Sequence, residues 1–266
     1  MKYYVTSDTH GYYSLLKAAL EQAGYFSEQE AHRLVILGDL FDRGGEAKEM
    51  QDFILQQMAS GNLILVKGNH EDLFQELVTE DDGVMNHCHS NNGTYDTVLH
   101  LTGFDLKQAL CDNYGFADAA KQTPLFAKII PSMVDYYETE NYIFVHGWIP
   151  CVENWKKGRQ YDPHWRDADP IRWEMARWYN GMDAVKTYRG KKTILCGHWH
   201  TSYGHSKFEN RGSEFGADAD FSPYYAPSII ALDACTAFSG KVNVVVLEDE
   251  LLHGKSRNAE RSASEK

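Results

Sequence analysis

The chain has 266 residues, a net charge of −12, 43% hydrophobic residues and 24% charged residues. That length supports one large domain or two small ones with a sizeable core, and the composition is ordinary for a globular protein. The acidic balance argues against a nucleic-acid surface, which draws on many Lys and Arg, and no apolar run is long enough for a membrane span.

The five cysteines, Cys88, Cys111, Cys151, Cys196 and Cys235, are scattered and form neither a disulfide framework nor a CxxC zinc site. The start runs straight into a strand instead of a secretory signal pattern. Together these features lead us to expect a reducing, cytoplasmic setting.

Residues 2–6 read as a strand rich in Tyr and Val, ending at Ser7-Asp8-Thr9-His10-Gly11. Leu15, Leu16, Ala19, Leu20 and Ala23 recur at helical spacing and predict a helix over 12–23. A second strand over 33–37 opens into Gly38-Asp39-Leu40-Phe41-Asp42-Arg43-Gly44. Met50, Phe53, Ile54 and Met58 place an amphipathic helix over 46–59. A third strand over 63–66 ends at Gly68-Asn69-His70-Glu71. This alternation predicts a parallel sheet with right-handed crossovers. Each polar cluster falls at the C-terminal end of its strand, where open α/β sheets gather ligands.

Over 81–123 the pattern weakens. Turns at Asp81-Asp82-Gly83 and Asn91-Asn92-Gly93 frame short helical pieces at 96–100 and 107–113, which we read as an inserted helical cap at the sheet edge. A helix over 124–133 follows, then a strand over 142–145 running into His146-Gly147-Trp148. A helix over 172–179 precedes a strand over 193–196 that ends at Gly197-His198-Trp199-His200. Residues 206–225 read as a loop, and 228–232 with 242–247 as a hairpin through Ser239-Gly240. The chain thus reads as one domain over 1–254 and a fraying tail over 255–266.

The strand ends carry Asp8, His10, Asp39, Asn69, His146, His198 and His200. Residues i and i+2 of an extended chain point the same way, so Asp8 and His10 face one ion together, as do His198 and His200. Asp39 can offer two oxygens to two ions. Mixed imidazole, carboxylate and amide ligands suit Mn, Fe or Zn better than Ca or Mg. Two such ions roughly 3.5–4 Å apart clamp an in-line displacement at phosphorus. A lone His or Asp at any one position is ordinarily a hydrogen-bonded structural residue or a turn. Their gathering at one end of consecutive strands is what argues for metal.

Arg43 is always charged, so it is no ligand and suits a bidentate phosphate contact. Arg172 and Arg177 are candidates for a second phosphate contact, against the plain alternative of a solvated helix face. His87-Cys88-His89 reads as a polar loop rather than a third metal site. The Trp- and Tyr-rich segments either stack a nucleobase or simply pack.

Asp8-x-His10, Gly38-Asp39-x-x-Asp42-Arg43-Gly44, Gly68-Asn69-His70-Glu71, His146-Gly147 and Gly197-His198 together resemble the calcineurin-like metallophosphoesterases. The Asp-Arg-Gly at 42–44 and the Asn-His-Glu at 69–71 look more like the phosphoprotein phosphatase branch, which also contains the symmetric diadenosine tetraphosphatases. Ile230-Ala231-Leu232-Asp233-Ala234 with Gly240-Lys241-Val242 is similar to that branch's closing hairpin. The resemblance implies an α/β fold of two mixed β-sheets packed as a sandwich and flanked by helices. It implies one divalent ion on Asp8, His10 and Asp39, and a second on Asp39, Asn69, His146 and His198. Asp42 would pair with His70, and Arg43 would bind phosphate.

The implied reaction is hydrolysis of a phosphomonoester by in-line attack of a hydroxide held between the ions, with His70 as general acid. The substrate would be a phosphorylated small molecule, a nucleotide or a serine/threonine phosphoprotein. Hydrolysis of dinucleoside polyphosphates is the alternative. Three residues depart from the branch: Ser7, where Gly is usual, Trp148, and His200, which we expect as a further ligand beside Asp8 and His10.

Overall fold

The computed structural model describes residues 1–79 and 87–250. The turn expected at Asp81-Asp82-Gly83 and the tail over 255–266 lie outside them. Chain order gives β1 (Lys2–Thr6), α1 (Tyr13–Gln22), β2 (His32–Leu37), α2 (Ala47–Ser60), β3 (Leu63–Val66) and α3 (Asn69–Thr79). The inserted region follows with α4 (His87–Asn92), α5 (Thr94–Thr102), α6 (Leu106–Cys111) and α7 (Asn113–Lys121). Next come α8 (Ile130–Ser132), β4 (Tyr137–Glu138), β5 (Tyr142–Phe144), β6 (Cys151–Asn154), β7 (Gly158–Tyr161), α9 (Pro170–Arg177) and α10 (Gly181–Ala184). The chain closes with β8 (Thr193–Cys196), α11 (Thr201–Phe208), β9 (Tyr224–Ala226), β10 (Ile229–Ala231), α12 (Thr236–Ser239) and β11 (Val245–Glu248).

Two mixed sheets result. One has the order β11-β1-β2-β3 and the other β4-β5-β8-β10-β9. In the first, β1, β2 and β3 are parallel, with Val5 opposite Val35 and Val35 opposite Ile64. In the second, β5, β8 and β10 are parallel, with Phe144 opposite Leu195 and Leu195 opposite Ile230. The antiparallel strands are at the edges.

The period of two in each strand explains why these sheets face each other. Tyr3, Val5, Val35, Leu37 and Val66 of the first sheet share one buried cluster with Phe144, Leu195, Ile230 and Leu232 of the second. The alternate residues Tyr4, Leu34, Ile36 and Leu65 turn outward to α1 and α2. Ile143, Ile194, Ile229 and Ala231 turn outward to the Trp-rich segment, including Trp148, Trp165 and Trp173. Each buried Leu or Ile contributes about 1.5–3 kcal/mol of transfer free energy. The result is a helix-flanked sandwich whose two sets of parallel strands both end at the site.

Several local expectations change. Strands β10 and β11 do not form a hairpin: they belong to different sheets and are separated by α12. Cys235, at φ 51, turns the chain at the start of that helix. The true hairpin partner of β10 is β9, with Ser228 at φ 67 beside the turn. The first part of the expected 206–225 loop belongs to α11, and the β6–β7 hairpin was not foreseen. His87-Cys88-His89 opens α4 instead of a loop, and His89 is buried. Val98, Phe116 and Ala120 of the inserted helices share a core with α2 and α3, so the insertion is packed onto the body of the protein.

Candidate functional site

The loops leaving β1, β2, β3, β5 and β8 bring Asp8, His10, Asp39, Asp42, Asn69, His70 and His146 together, all buried, with His198 half-buried beside them. Asp8, His10, Asp39, Asp42, Arg43 and His198 all have positive φ, between 46° and 73°. Such conformations are costly for residues with a side chain and persist where surrounding bonds fix them. Here the first two loops interlock. The His10 N–H donates to the Asp39 carbonyl at 2.9 Å, Gly11 to Leu40 at 2.7 Å, and Gly44 to His10 at 2.8 Å. Gly38, at φ +80, lies so close to the backbone of Gly68 and to His146 that no Cβ fits there.

Asp39 divides its oxygens. Its Oδ1 lies 3.3 Å from His146 Nε2, while Oδ2 lies 3.9 Å from His10 Nε2 and 3.8 Å from His70 Nε2. Donor atoms of His10, Asp39 and His70 lie within 4.8 Å of one another, as do those of Asp39, His146 and His198. Asp39 also accepts the His70 N–H at the N-terminus of α3 at 3.1 Å, a position that favours an anion. Burial would raise its pKa, but His146, His70, His10 and His198 outweigh that and hold it below the usual carboxylate range.

The lone pairs converge as they do around a bound cation. His146 Nδ1 donates to the Leu37 carbonyl at 2.6 Å, which leaves Nε2 as an acceptor. That Nε2 faces Asn69 Oδ1 at 2.8 Å and Asp39 Oδ1 at 3.3 Å, both acceptors. His10 likewise donates through Nδ1 to the Phe41 carbonyl at 3.0 Å. Burial lowers the pKa of His10, His146 and His198, the last to about 3, in the direction of the neutral imidazole that a ligand requires. Asp8 accepts the His198 N–H on both oxygens, at 3.0 and 3.1 Å. Burial and the charges of Asp233 and Asp39 push its carboxyl well up, a penalty that a divalent ion beside it would reverse. The residues present therefore fit divalent metal.

His70 is different. Its Nδ1 donates to Asp42 Oδ2 at 2.6 Å. Burial alone would lower its pKa, but the charge of Asp39, then the hydrogen bond and charge of Asp42, raise it. Arg43 is exposed, with Nη1 3.0 Å from His10 Nε2 and Nη2 3.2 Å from His70 Nε2.

The structure does not bring every expected residue to the cluster. His200 Nε2 faces Glu214 Oε1 at 2.7 Å, and His200 joins neither group of donors; nor does Asp8, and the third member beside His10 and Asp39 is His70. The reasoning from i and i+2 fails because His198, at φ 64, is not extended. Arg172 and Arg177 are not free for a phosphate. Arg172 pairs with Asp162 and also donates to the Cys151 carbonyl, at 3.3 Å. Arg177 is buried between Asp72 at 3.0 Å and Asp135 at 2.8 Å.

Sequence reasoning missed three supports. The Glu71 carboxylate accepts the backbone N–H groups of Gly68, Asp39 and Leu40 at 2.8–3.0 Å, tying the β3 loop to the β2 loop. Its place in the 68–71 motif was the available signal. The hydroxyls of Thr94 and Thr97 donate to Asp42, each at 2.8 Å, from a region that carried no motif.

Residues 1–219 match the model of the calcineurin-like phosphoesterase family. The chain is a calcineurin-like phosphoesterase. The enzyme is 34% identical to the asymmetrical bis(5'-nucleosyl)-tetraphosphatase PrpE of Bacillus velezensis, across 74% of this chain and 77% of the relative. It is 26% identical to serine/threonine-protein phosphatase 2 of Salmonella typhimurium, across 75% of this chain and 80% of the relative. Among solved structures, the cold-active protein-tyrosine phosphatase of a psychrophilic Shewanella matches with a TM-score of 0.56 at 17% identity, covering 93% of this chain and 75% of that one. A serine/threonine phosphatase of Saccharomyces cerevisiae matches with a TM-score of 0.50 at 15% identity, covering 97% and 83%. These structural likenesses establish the fold. Family membership makes the enzyme a phosphatase that depends on divalent metal, and the two donor groups around Asp39 are the candidate site. Among the described residues no helix is long and apolar enough to cross a membrane.

Proposed function

We propose that the enzyme hydrolyses phosphomonoesters, with serine/threonine phosphoprotein as the preferred substrate class. Asp8, His10 and Asp39 would hold one divalent ion, and Asp39, Asn69, His146 and His198 the other, with Mn, Fe or Zn favoured by this ligand chemistry. When bound, the ions supply activation of the nucleophile and neutralise charge on the phosphoryl oxygens. Arg43, on the exposed side of the cluster, binds the terminal phosphoryl group through its planar fork. His70 gives a proton to the leaving oxygen, while Asp42 holds its Nδ1–H and its orientation.

The observation that carries this reading is the different company of neighbouring imidazoles. His10 and His146 give their Nδ1–H to backbone carbonyls and turn Nε2 toward Asp39, whereas His70 gives its Nδ1–H to the Asp42 carboxylate. Environments that separate like groups in this way assign ligand and acid roles. His10 and His70 are only 4.8 Å apart, centroid to centroid, so the separation is local.

A second reading, hydrolysis of dinucleoside polyphosphates, has its own support. The exposed rings of Trp178 and Trp199 flank His198 at 5.7 and 6.1 Å; Trp199 already stacks on His200, and Trp178 would offer its ring to a nucleobase. The PrpE relative is described as asymmetrical, so this reading takes asymmetric cleavage in place of the symmetric cleavage expected from sequence. The cytoplasmic setting remains part of the proposal and draws on the scatter and odd number of the cysteines.

The test is a turnover panel on Mn-loaded enzyme with a phosphopeptide, an aryl phosphate, diadenosine tetraphosphate, a cyclic nucleotide and single-stranded DNA. We expect the highest kcat/KM on the monoesters. A higher value on diadenosine tetraphosphate, yielding ATP and AMP, would favour the second reading. A higher value on the cyclic nucleotide or on DNA would overturn both.

A further inference from the structure

We infer that the inserted helices belong to the proton-delivery machinery: Thr94 and Thr97 of α5 are positioning residues that fix the Asp42 carboxylate and, through it, the His70 imidazole. The inference rests on the general-acid reading of His70.

The Asp42 carboxylate accepts three hydrogen bonds, and the insertion supplies two of them. Its Oδ2 accepts the His70 Nδ1–H at 2.6 Å and the Thr94 hydroxyl at 2.8 Å. Its Oδ1 accepts the Thr97 hydroxyl at 2.8 Å, and Thr97 Oγ1 in turn accepts the Asp42 backbone N–H at 2.9 Å. Thr97 therefore closes a ring on Asp42, pinning side chain and backbone together. Thr94 bonds the same oxygen that holds His70, so it fixes the plane in which the imidazole is gripped.

Both threonines stand in the first turn of α5, three residues apart, and so share one face. All four residues are buried, which leaves few competing partners. The turn before them is pressed onto the same loop. Gly93 has φ +82, and a Cβ there would clash with the backbone of Arg43. Asp42 and Arg43 have φ values of 73° and 65°, so the loop that carries them needs external bracing, and residues 93–97 provide it.

A simpler role is available. The hydroxyls would satisfy a buried carboxylate and affect stability alone. The two roles differ in how they respond to the leaving group. A misplaced acid slows departure of a poor leaving group, such as an alkoxide, far more than that of nitrophenolate. A loss of stability slows both equally.

The experiment compares Thr94→Val, Thr97→Val, Thr94→Ser, Thr97→Ser and His70→Ala on an alkyl phosphate and on nitrophenyl phosphate, with metal-loaded full-length enzyme. A second readout uses metal-free protein: the low-field proton resonance of the His70 Nδ1–H in the bond to Asp42. We expect each Val variant to lose about tenfold in kcat on the alkyl ester, within the range for removing a partner of a functional group, and several times less on the aryl ester. The Asp42–His70 resonance should shift or broaden, and the Ser variants should restore both readouts. Equal losses on the two esters with an unmoved resonance, while His70→Ala still discriminates between them, would overturn the inference alone. A His70→Ala variant that loses equally on both esters would overturn the general-acid reading and this inference with it.

Discussion

The two sheets build their halves of the site differently. The loops after β1 and β2 brace each other through backbone hydrogen bonds, and Glu71 ties in the loop after β3. Asp8, His10, Asp39 and Asn69 are therefore placed by their own sheet. The histidines of the second sheet are aimed by atoms of the first. His146 is oriented by the Leu37 carbonyl at the end of β2, and the His198 backbone is held by the Asp8 carboxylate. The group Asp39, His146 and His198 thus exists only while the sandwich is closed. The apolar layer between the sheets therefore holds this candidate group together, and Leu37 of that layer touches it directly through its carbonyl on His146.

The largest effect is expected at Asp39, the one residue common to both groups of donors among the described residues. Asp39→Ala is expected to lower the content of both metals and to abolish turnover. Metal analysis that found two ions per chain in this variant would contradict the shared role.

A finer test loosens the sandwich without touching a candidate ligand. Leu195 is fully buried between the sheets, one strand residue away from Cys196 and close to His198. Leu195→Ala is expected to cost about 2–5 kcal/mol in urea unfolding, the usual range for a buried Leu. Metal titration should show one of two binding steps weakened more than the other, because only the group completed by the second sheet depends on the docking. Equal weakening of both steps would argue that the halves are not built differently.

The smallest effect is expected at His200, which stands in the second sheet's last motif but faces Glu214. His200→Ala should retain both ions and show a modest loss of activity that does not depend on added metal. Activity restored by excess Mn would put His200 back among the ligands.

What was legible in the sequence follows the same division. The gathering of Asp8, His10, Asp39, Asn69, His146 and His198 at one edge could be read because short apolar strands announce where polar loops begin, and parallel strands deliver those loops together. The pairing of Asp42 with His70 came only with the family resemblance, since nothing in the spacing brings residues 28 apart into contact. His200 was misread because the reasoning assumed extended backbone where His198 is left-handed. Arg172 and Arg177 were misread because a sequence shows a charge without its partner. Asp162, Asp72 and Asp135 become those partners only through tertiary packing. Thr94 and Thr97 were invisible for a related reason: their partner is more than fifty residues away, and their own region lacks a clear period. The pairing of β10 with β9 instead of β11 turned on the short helix α12, too brief to announce itself by periodicity.

Everything above depends on two ions sharing Asp39, one held on the side of the first sheet and one completed by the second. Anomalous diffraction from crystals of the Mn-loaded enzyme would show them. Two peaks are expected to flank the Asp39 carboxylate, one beside Asp8 and His10 and one beside Asn69, His146 and His198, with His200 still on Glu214 and His70 on Asp42. A single peak, or a peak coordinated by His70 or His200, would contradict it.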